Sequence, residues 1–170
     1  IKLPAPVKTG GMPLMEALSK RQTTREFSPE NLSNQTISNL LWAAWGFNRD
    51  NKRTAPSAND KQELDLYVAL KSGAYRYDAK NNVLVQVNKE DVRSKMGSQD
   101  FVSVAPMNIV YVADKSKKGA SKTNCGFIAQ NVYLFCASEN LATVVRGWFD
   151  AKQVKEALKL SDNFEPVLTQ

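Results

Sequence analysis

A chain of 170 residues with 42% hydrophobic and 9% aromatic side chains can bury a core without staples, and no apolar run approaches the length of a membrane span. The formal charge of +6 and a pI near 9.3 suit an anionic partner, such as a phosphate-bearing cofactor. Histidine is absent, which removes imidazole acid/base work, Ser-His and Cys-His nucleophile pairs and imidazole metal ligands.

The chain begins at Ile1 rather than Met and is read as a processed or trimmed product, cytoplasmic or exported. Residues 1–11, with Pro4, Pro6 and Gly10-Gly11, read as an extended arm, and residues 12–170 as a single domain. Met12 to Lys20 carries Leu14, Met15 and Leu18 at spacings that fit a short amphipathic helix. The next stretch, Lys20 to Phe27, is the most informative of the chain. Thr23 and Thr24 disfavour continuing the helix, so the segment is expected to leave it and become extended. Residues 21, 23 and 25 then point one way, aiming two guanidiniums and a hydroxyl at one spot, an arrangement that matches a phosphate. An exposed basic turn is the plainer alternative.

Ser33 can cap a second helix that runs to about Trp45, with Ile37, Leu40, Leu41 and Ala44 inward. Trp42 and Trp45 on its flank read as core filling, or as the wall of a flat ligand or subunit contact. Arg49 to Gln62 is rich in turn formers and reads as a loop. Glu63–Leu70, Ala74–Tyr77 and Val83–Val87 read as strands of an antiparallel meander. Asn88 to Met96 is expected to be a short charged helix, and Asn108 to Ala113, continuously apolar after its first residue, a central strand covered on both faces. Lys115 to Lys122 reads as a basic surface loop.

Thr123 to Leu141 is the longest helical pattern, apolar nearly all round, which calls for burial on several sides and makes a subunit interface a natural partner. Cys125 and Cys136 lie in it eleven residues apart, roughly 16 Å along a helix, and cannot bridge each other there. Ala142 to Val145 reads as strand-like and enters Arg146-Gly147-Trp148, where a glycine lets backbone amides approach a ligand. A helix over 150–158 and a strand over 164–168 close the chain. Zinc-finger spacing and RNP-like aromatics are absent, so a basic nucleic-acid binder is a weak rival and none is expected as a partner.

In this order the pieces resemble the nitroreductase family of FMN-dependent oxidoreductases, and within it the group related to azoline (thiazole/oxazole-forming) dehydrogenases. The likeness covers about Leu14 to Leu168. Lys20 to Phe27 resembles the family's Arg-x-Ser-x-Arg-x-Phe signature, and Arg53 to Ala58 its Pro-Ser loop. Gly126 to Leu141, with Gln130-Asn131, is similar to its long dimer helix, and Val144 to Phe149 to its flavin-edge strand and turn. The resemblance implies an α+β fold with a mainly antiparallel central sheet flanked by helices, and a homodimer with FMN sites built from both subunits. Arg21, Gln22, Thr23 and Arg25 would hold the phosphate and ribityl chain; Pro56, Ser57 and Ala58 would reach the ring from the other subunit. The amides around Val145, Arg146 and Gly147 would face flavin N5. Two departures stand out: Asp60 occupies the place of a family asparagine, with Asn59 one residue early, and many relatives continue past the position of Gln170 with a basic residue near the phosphate. Either this chain is shortened or Arg21 and Arg25 carry more of that role.

The implied activity is hydride transfer from NAD(P)H through FMN to an oxidised acceptor such as a nitro compound or quinone. No side-chain catalytic residue and no metal is expected, because the cofactor carries the chemistry. The alternatives are oxidation of an azoline-type heterocycle by the same fold, and a flavin-binding protein without turnover.

Overall fold

The computed structural model describes residues 1–170. Its helices are α1 (Leu14–Lys20), α2 (Asn34–Trp45), α3 (Phe101–Val104), α4 (Ser121–Ser138) and α5 (Ala151–Leu158). Its strands are β1 (Phe47–Arg49), β2 (Lys52–Arg53), β3 (Leu64–Leu70), β4 (Gly73–Asp78), β5 (Val83–Asn88), β6 (Met107–Asp114) and β7 (Phe164–Thr169). A five-stranded sheet runs β5-β4-β3-β6-β7 with every neighbouring pair antiparallel, and β1 and β2 form a separate small hairpin. This is the expected α+β arrangement with an antiparallel centre.

Strand alternation sorts the core into two layers. Leu64, Leu66 and Val68 of β3 and Ile109, Tyr111 and Ala113 of β6 pack toward α2 and α4, with Leu41, Trp45, Ile128 and Val132. Tyr67 and Ala69 of β3 and Val110 and Val112 of β6 pack on the other face against Val154, Ala157 and Leu158 of α5. Both central strands are therefore covered on both faces, as the apolar run at 108–113 predicts. Trp45 is core, its indole N–H donating to the Leu64 carbonyl at 2.8 Å, while Trp42 stays half-buried at the rim.

Ser33 caps α2 by accepting the Thr36 amide, and Asp150 caps α5 by accepting the amides of Lys152 and Gln153. Helix α4 ends where Asn140 adopts a left-handed φ of 53°, and the Leu141 amide returns to the Cys136 carbonyl. The N-terminal arm is extended and pinned: Leu3 is buried, its amide donates to the Asn82 carbonyl, and Ser38 donates to the Pro4 carbonyl. No helix is long and apolar enough to cross a membrane.

Three expectations need correction. Residues 88–96 hold only a single 3-10 turn at Arg93–Lys95, because the Asn88 and Asp91 side chains capture the amides of Glu90 and Arg93 that a helix would have used. The 49–62 segment is not wholly irregular, since it contains half of the β1–β2 hairpin. Residues 142–145 are extended but unpaired as a strand; the one bridge there joins Arg146 to Thr169. The apolar residues of α1 also behave unexpectedly: Leu14, Met15 and Leu18 are exposed, and Ala17 is the residue the helix buries.

Candidate functional site

Helix α4 is the rod on which the candidate residues are mounted. Toward its C-terminal end Tyr133 projects a hydroxyl that accepts the Val145 amide at 3.0 Å and lies 3.0 Å from Thr23 Oγ1. The Arg21 guanidinium stacks over the same ring, 5.3 Å from its centroid. A backbone bond from the Thr24 amide to the Thr143 carbonyl closes the join. The 21–25 segment and the 143–147 segment, far apart in sequence, thus meet on one tyrosine.

Arg21 ends α1 with its amide on the Ala17 carbonyl, after which the chain is extended, as the two threonines predict. Neither Arg21 nor Arg25 makes an ion pair: the acidic partners in the chain go to Lys20, Lys52, Arg93 and Lys155. Neither guanidinium donates a hydrogen bond within the chain, Arg21 being engaged only with the Tyr133 face. Gln22, with Lys20 and Thr24, lines a depression of about 330 Å³ to which Tyr133 and Thr143 also contribute.

The Pro56-Ser57-Ala58 loop sits at the other end of α4. Asn124, fully buried in the first turn region of the helix, accepts the Ala58 amide at 3.1 Å and donates to Glu63 Oε1 at 2.8 Å. Ser57 Oγ accepts the Gln62 amide, and the Gln62 side chain in turn receives the Arg53 Nε–H. Arg53 is held between the Trp45 and Phe47 rings, so it is an internal support of the loop. Asn59, Asp60 and Gln62 all have positive φ, a backbone that only surrounding bonds can hold for such residues. Asp60 is bonded to Lys52 and Gln62, and neither it nor Asn59 is aimed away from the loop by any bond in the chain. Pro56 is exposed and Ser57 half-buried.

At the third piece, Val145 is half-buried and Gly147 exposed, but the two amides next to the glycine are already committed. Val145 N–H goes to Tyr133, and Arg146 N–H donates to the Thr169 carbonyl at 2.7 Å. This corrects the expectation that the amides of Val145, Arg146 and Gly147 all face a ligand; only that of Gly147 has no partner. The Arg146 side chain turns inward instead. Its Nη2 donates to Asn108 Oδ1 at 2.7 Å, its Nε has no partner, and desolvation pushes its pKa down to about 10, leaving it charged at neutral pH. It lines a cavity of about 400 Å³ shared with Phe27, Phe101, Thr143 and Gln170.

The thiols offer no nucleophile. Cys125 and Cys136 are buried and unbridged, and burial pushes both up to about 12. What the site exposes is a set of cations, hydroxyls and amides, the donor set that binds and orients an anionic group.

Comparison with known proteins decides the lineage. The profile of the nitroreductase family matches residues 18–170, nearly the whole chain. The chain belongs to the nitroreductase family. It is similar to a protein of Ralstonia eutropha JMP134 that carries the nitroreductase name, whose crystal structure has a TM-score of 0.91 and 42% identity, covering 99% of this chain and 86% of that one. It is 28% identical to a protein of Methanocaldococcus jannaschii with the same name, over 88% of this chain and 85% of that protein. A Parabacteroides distasonis protein, titled NADH dehydrogenase/NAD(P)H nitroreductase, shares the fold at 18% identity and a TM-score of 0.67, covering 92% and 83% of the two chains. Membership makes this nitroreductase-family chain an oxidoreductase of a generally flavin-dependent kind.

Tyr133, Asn124, Glu63 and Asn108 are site-building residues of this family member that sequence reasoning did not single out. A signal existed for Tyr133, since a tyrosine on a helix lined with alanine, valine and phenylalanine needs a partner for its hydroxyl.

Proposed function

We propose that this chain is an FMN-dependent oxidoreductase that works as a homodimer, passing hydride from NAD(P)H to an oxidised acceptor such as a nitro compound or quinone. The observation that carries the reading is the Arg21 guanidinium over the Tyr133 ring beside the Thr23 hydroxyl, with Arg25 further along the same extended segment and neither arginine held by an acidic partner. Two guanidiniums without acidic partners and a hydroxyl are the donors a phosphomonoester requires, so the residues present fit the phosphate of FMN. When bound, FMN supplies reversible hydride chemistry at its N5.

The residues contribute binding and orientation. Arg21 and Arg25 hold the phosphate, with Thr23 on the adjoining ribityl oxygens. Tyr133 keeps the Thr23 segment and the Val145 segment at a set separation, and the free Gly147 amide offers a donor at the ring edge. Pro56 to Ala58 lie near Asn124, roughly 14 Å along α4 from Tyr133, too far to meet the same ligand edge within one chain. Between the two ends α4 exposes Gly126, Phe127 and Gln130. A two-fold axis through that stretch sets the α4 helices of two copies antiparallel, bringing the Pro56 loop of one to the Tyr133 end of the other. The same pairing offers cover for Phe127, which is 43% exposed in the single chain.

The absorbance spectrum of the purified protein with added FMN, followed by anaerobic titration with NADH and NADPH, tests the reading. A flavin band that bleaches on titration and returns with a nitroaromatic or quinone is expected. Failure to bind FMN rejects it. Bleaching by a thiazoline or oxazoline, with no response to nicotinamide, favours the azoline-oxidising alternative that the four motifs also resemble.

A further inference from the structure

Glu63 and Asn124 form a connection that the reading above does not use. Glu63 is 1% exposed, at the entrance to β3, and faces the start of α4. It makes no ion pair; Oε1 accepts from Asn124 Nδ2, and Oε2 is buried without a partner. Burying a carboxylate this way is costly and needs a compensating role or a favourable field. Helix α4 begins at Ser121, and Ala120 before it supplies no side-chain cap, so the first amides present the positive end of the helix dipole in the same region. Room for the carboxylate comes from Gly119, where a Cβ would lie 2.1 Å from Glu63 Cδ and 2.4 Å from Oε2.

The chain of contacts leads outward. With Nδ2 committed to Glu63, the Asn124 amide cannot flip, and its oxygen is turned to the Ala58 N–H. The Ser57 carbonyl accepts the Asp60 amide and Ser57 Oγ accepts the Gln62 amide. Within the Pro56–Ala58 turn the Ser57 N–H and the Ser57 hydroxyl hydrogen are left unbonded, and the Asn59 side-chain amide beside it has no partner either. Loss of the Ala58 anchor would free a loop with three left-handed non-glycine residues to relax.

We propose that Glu63 and Asn124 are positioning residues that orient the Pro56–Ala58 loop, so that Ser57 presents its amide and hydroxyl to the flavin ring bound by the neighbouring subunit. This rests on the FMN reading above. Gly119 is part of the device because it admits the carboxylate. Glu63 acts through the Asn124 amide orientation rather than through its charge, so a glutamine, whose amide oxygen can accept the same bond, serves in its place.

The test uses the full chain and two measurements on Asn124→Ala, Gly119→Ala, Glu63→Leu and Glu63→Gln. FMN affinity is measured by quenching of flavin fluorescence. Amide exchange at residues 57–60 is measured without flavin, with sedimentation reporting assembly. Asn124→Ala, Gly119→Ala and Glu63→Leu should weaken FMN binding about tenfold, the order expected for one or two lost hydrogen bonds, and speed exchange at Ala58. Glu63→Gln should keep both near wild type. Any of the first three that fails to fold is set aside in favour of the others, and Asn124→Asp provides a further isosteric variant with the flip-defining donor removed. Wild-type FMN affinity with wild-type exchange at Ala58 in Asn124→Ala overturns the proposal, as does Glu63→Gln behaving like Glu63→Leu. If the wild-type protein binds no FMN, the FMN reading fails and the ring-presenting role with it, while exchange at Ala58 still decides whether Glu63 and Asn124 hold the loop.

Discussion

The Val145 amide donates to the Tyr133 hydroxyl at 3.0 Å, and this bond couples the segment after α4 to the helix itself. Thr23 Oγ1 sits 3.0 Å from the same oxygen, so one side chain fixes the spacing of two candidate binding segments. Tyr133 is 8% exposed, and its ring also carries the Arg21 guanidinium. Tyr133→Phe keeps the ring but strands the Val145 amide and the Thr23 hydroxyl. It should cost about 1–3 kcal/mol of stability. A thermal melt should fall by several degrees, and FMN affinity should drop about tenfold; unchanged affinity would show that the spacing is irrelevant to the ligand.

Arg21 and Arg25 have no acidic partners to lose, so replacing them should leave the fold intact. The double variant Arg21→Ala, Arg25→Ala should release FMN while circular dichroism and sedimentation remain those of the parent. A double variant that retains its flavin at the parent's affinity sinks the phosphate assignment.

Gly126 faces open space, with nothing within 4 Å of a Cβ built on it. Within one chain Gly126→Leu is therefore tolerated, and the helix gains propensity. If α4 pairs with a second copy across this face, the same change should push dimers toward monomers in sedimentation and weaken FMN binding in parallel. Dimers of parental strength would move the interface elsewhere.

The buried thiols give a pH signature. Burial raises Cys125 and Cys136 to about 12 in the folded chain, whereas the unfolded thiols titrate near 9. Below that pH both states hold the protons and stability is unaffected. Between about pH 9 and 10 the unfolded chain releases protons that the folded chain keeps, so stability falls as pH rises, by up to about 2–3 kcal/mol per unit for the pair. Urea melts across this range should show the slope, and Cys125→Ala with Cys136→Ala should flatten it. At pH 8 the thiols should resist disulfide reagents until the chain unfolds.

Much of this architecture was legible as local pattern. The meander, the doubly covered strand at 108–113, the Ser33 cap and the turn from helix to extended chain at Arg21 follow from periodicity and capping chemistry, which act within a few residues. The charged stretch at 88–96 misled because two side chains competed for its helical amides, an outcome that composition alone does not decide.

Sequence alone determined which residues could serve an anion: a histidine-free chain with Arg21, Thr23 and Arg25 in alternation and a Pro-Ser loop downstream. Only the tertiary structure decided how they are deployed. Packing on α4 put Tyr133 under the 21–25 segment and Asn124 under Ala58, while β7 took the Arg146 amide for the sheet and turned its side chain inward. Those choices depend on contacts between residues dozens of positions apart, and a local pattern carries no information about which distant carbonyl will claim a given N–H.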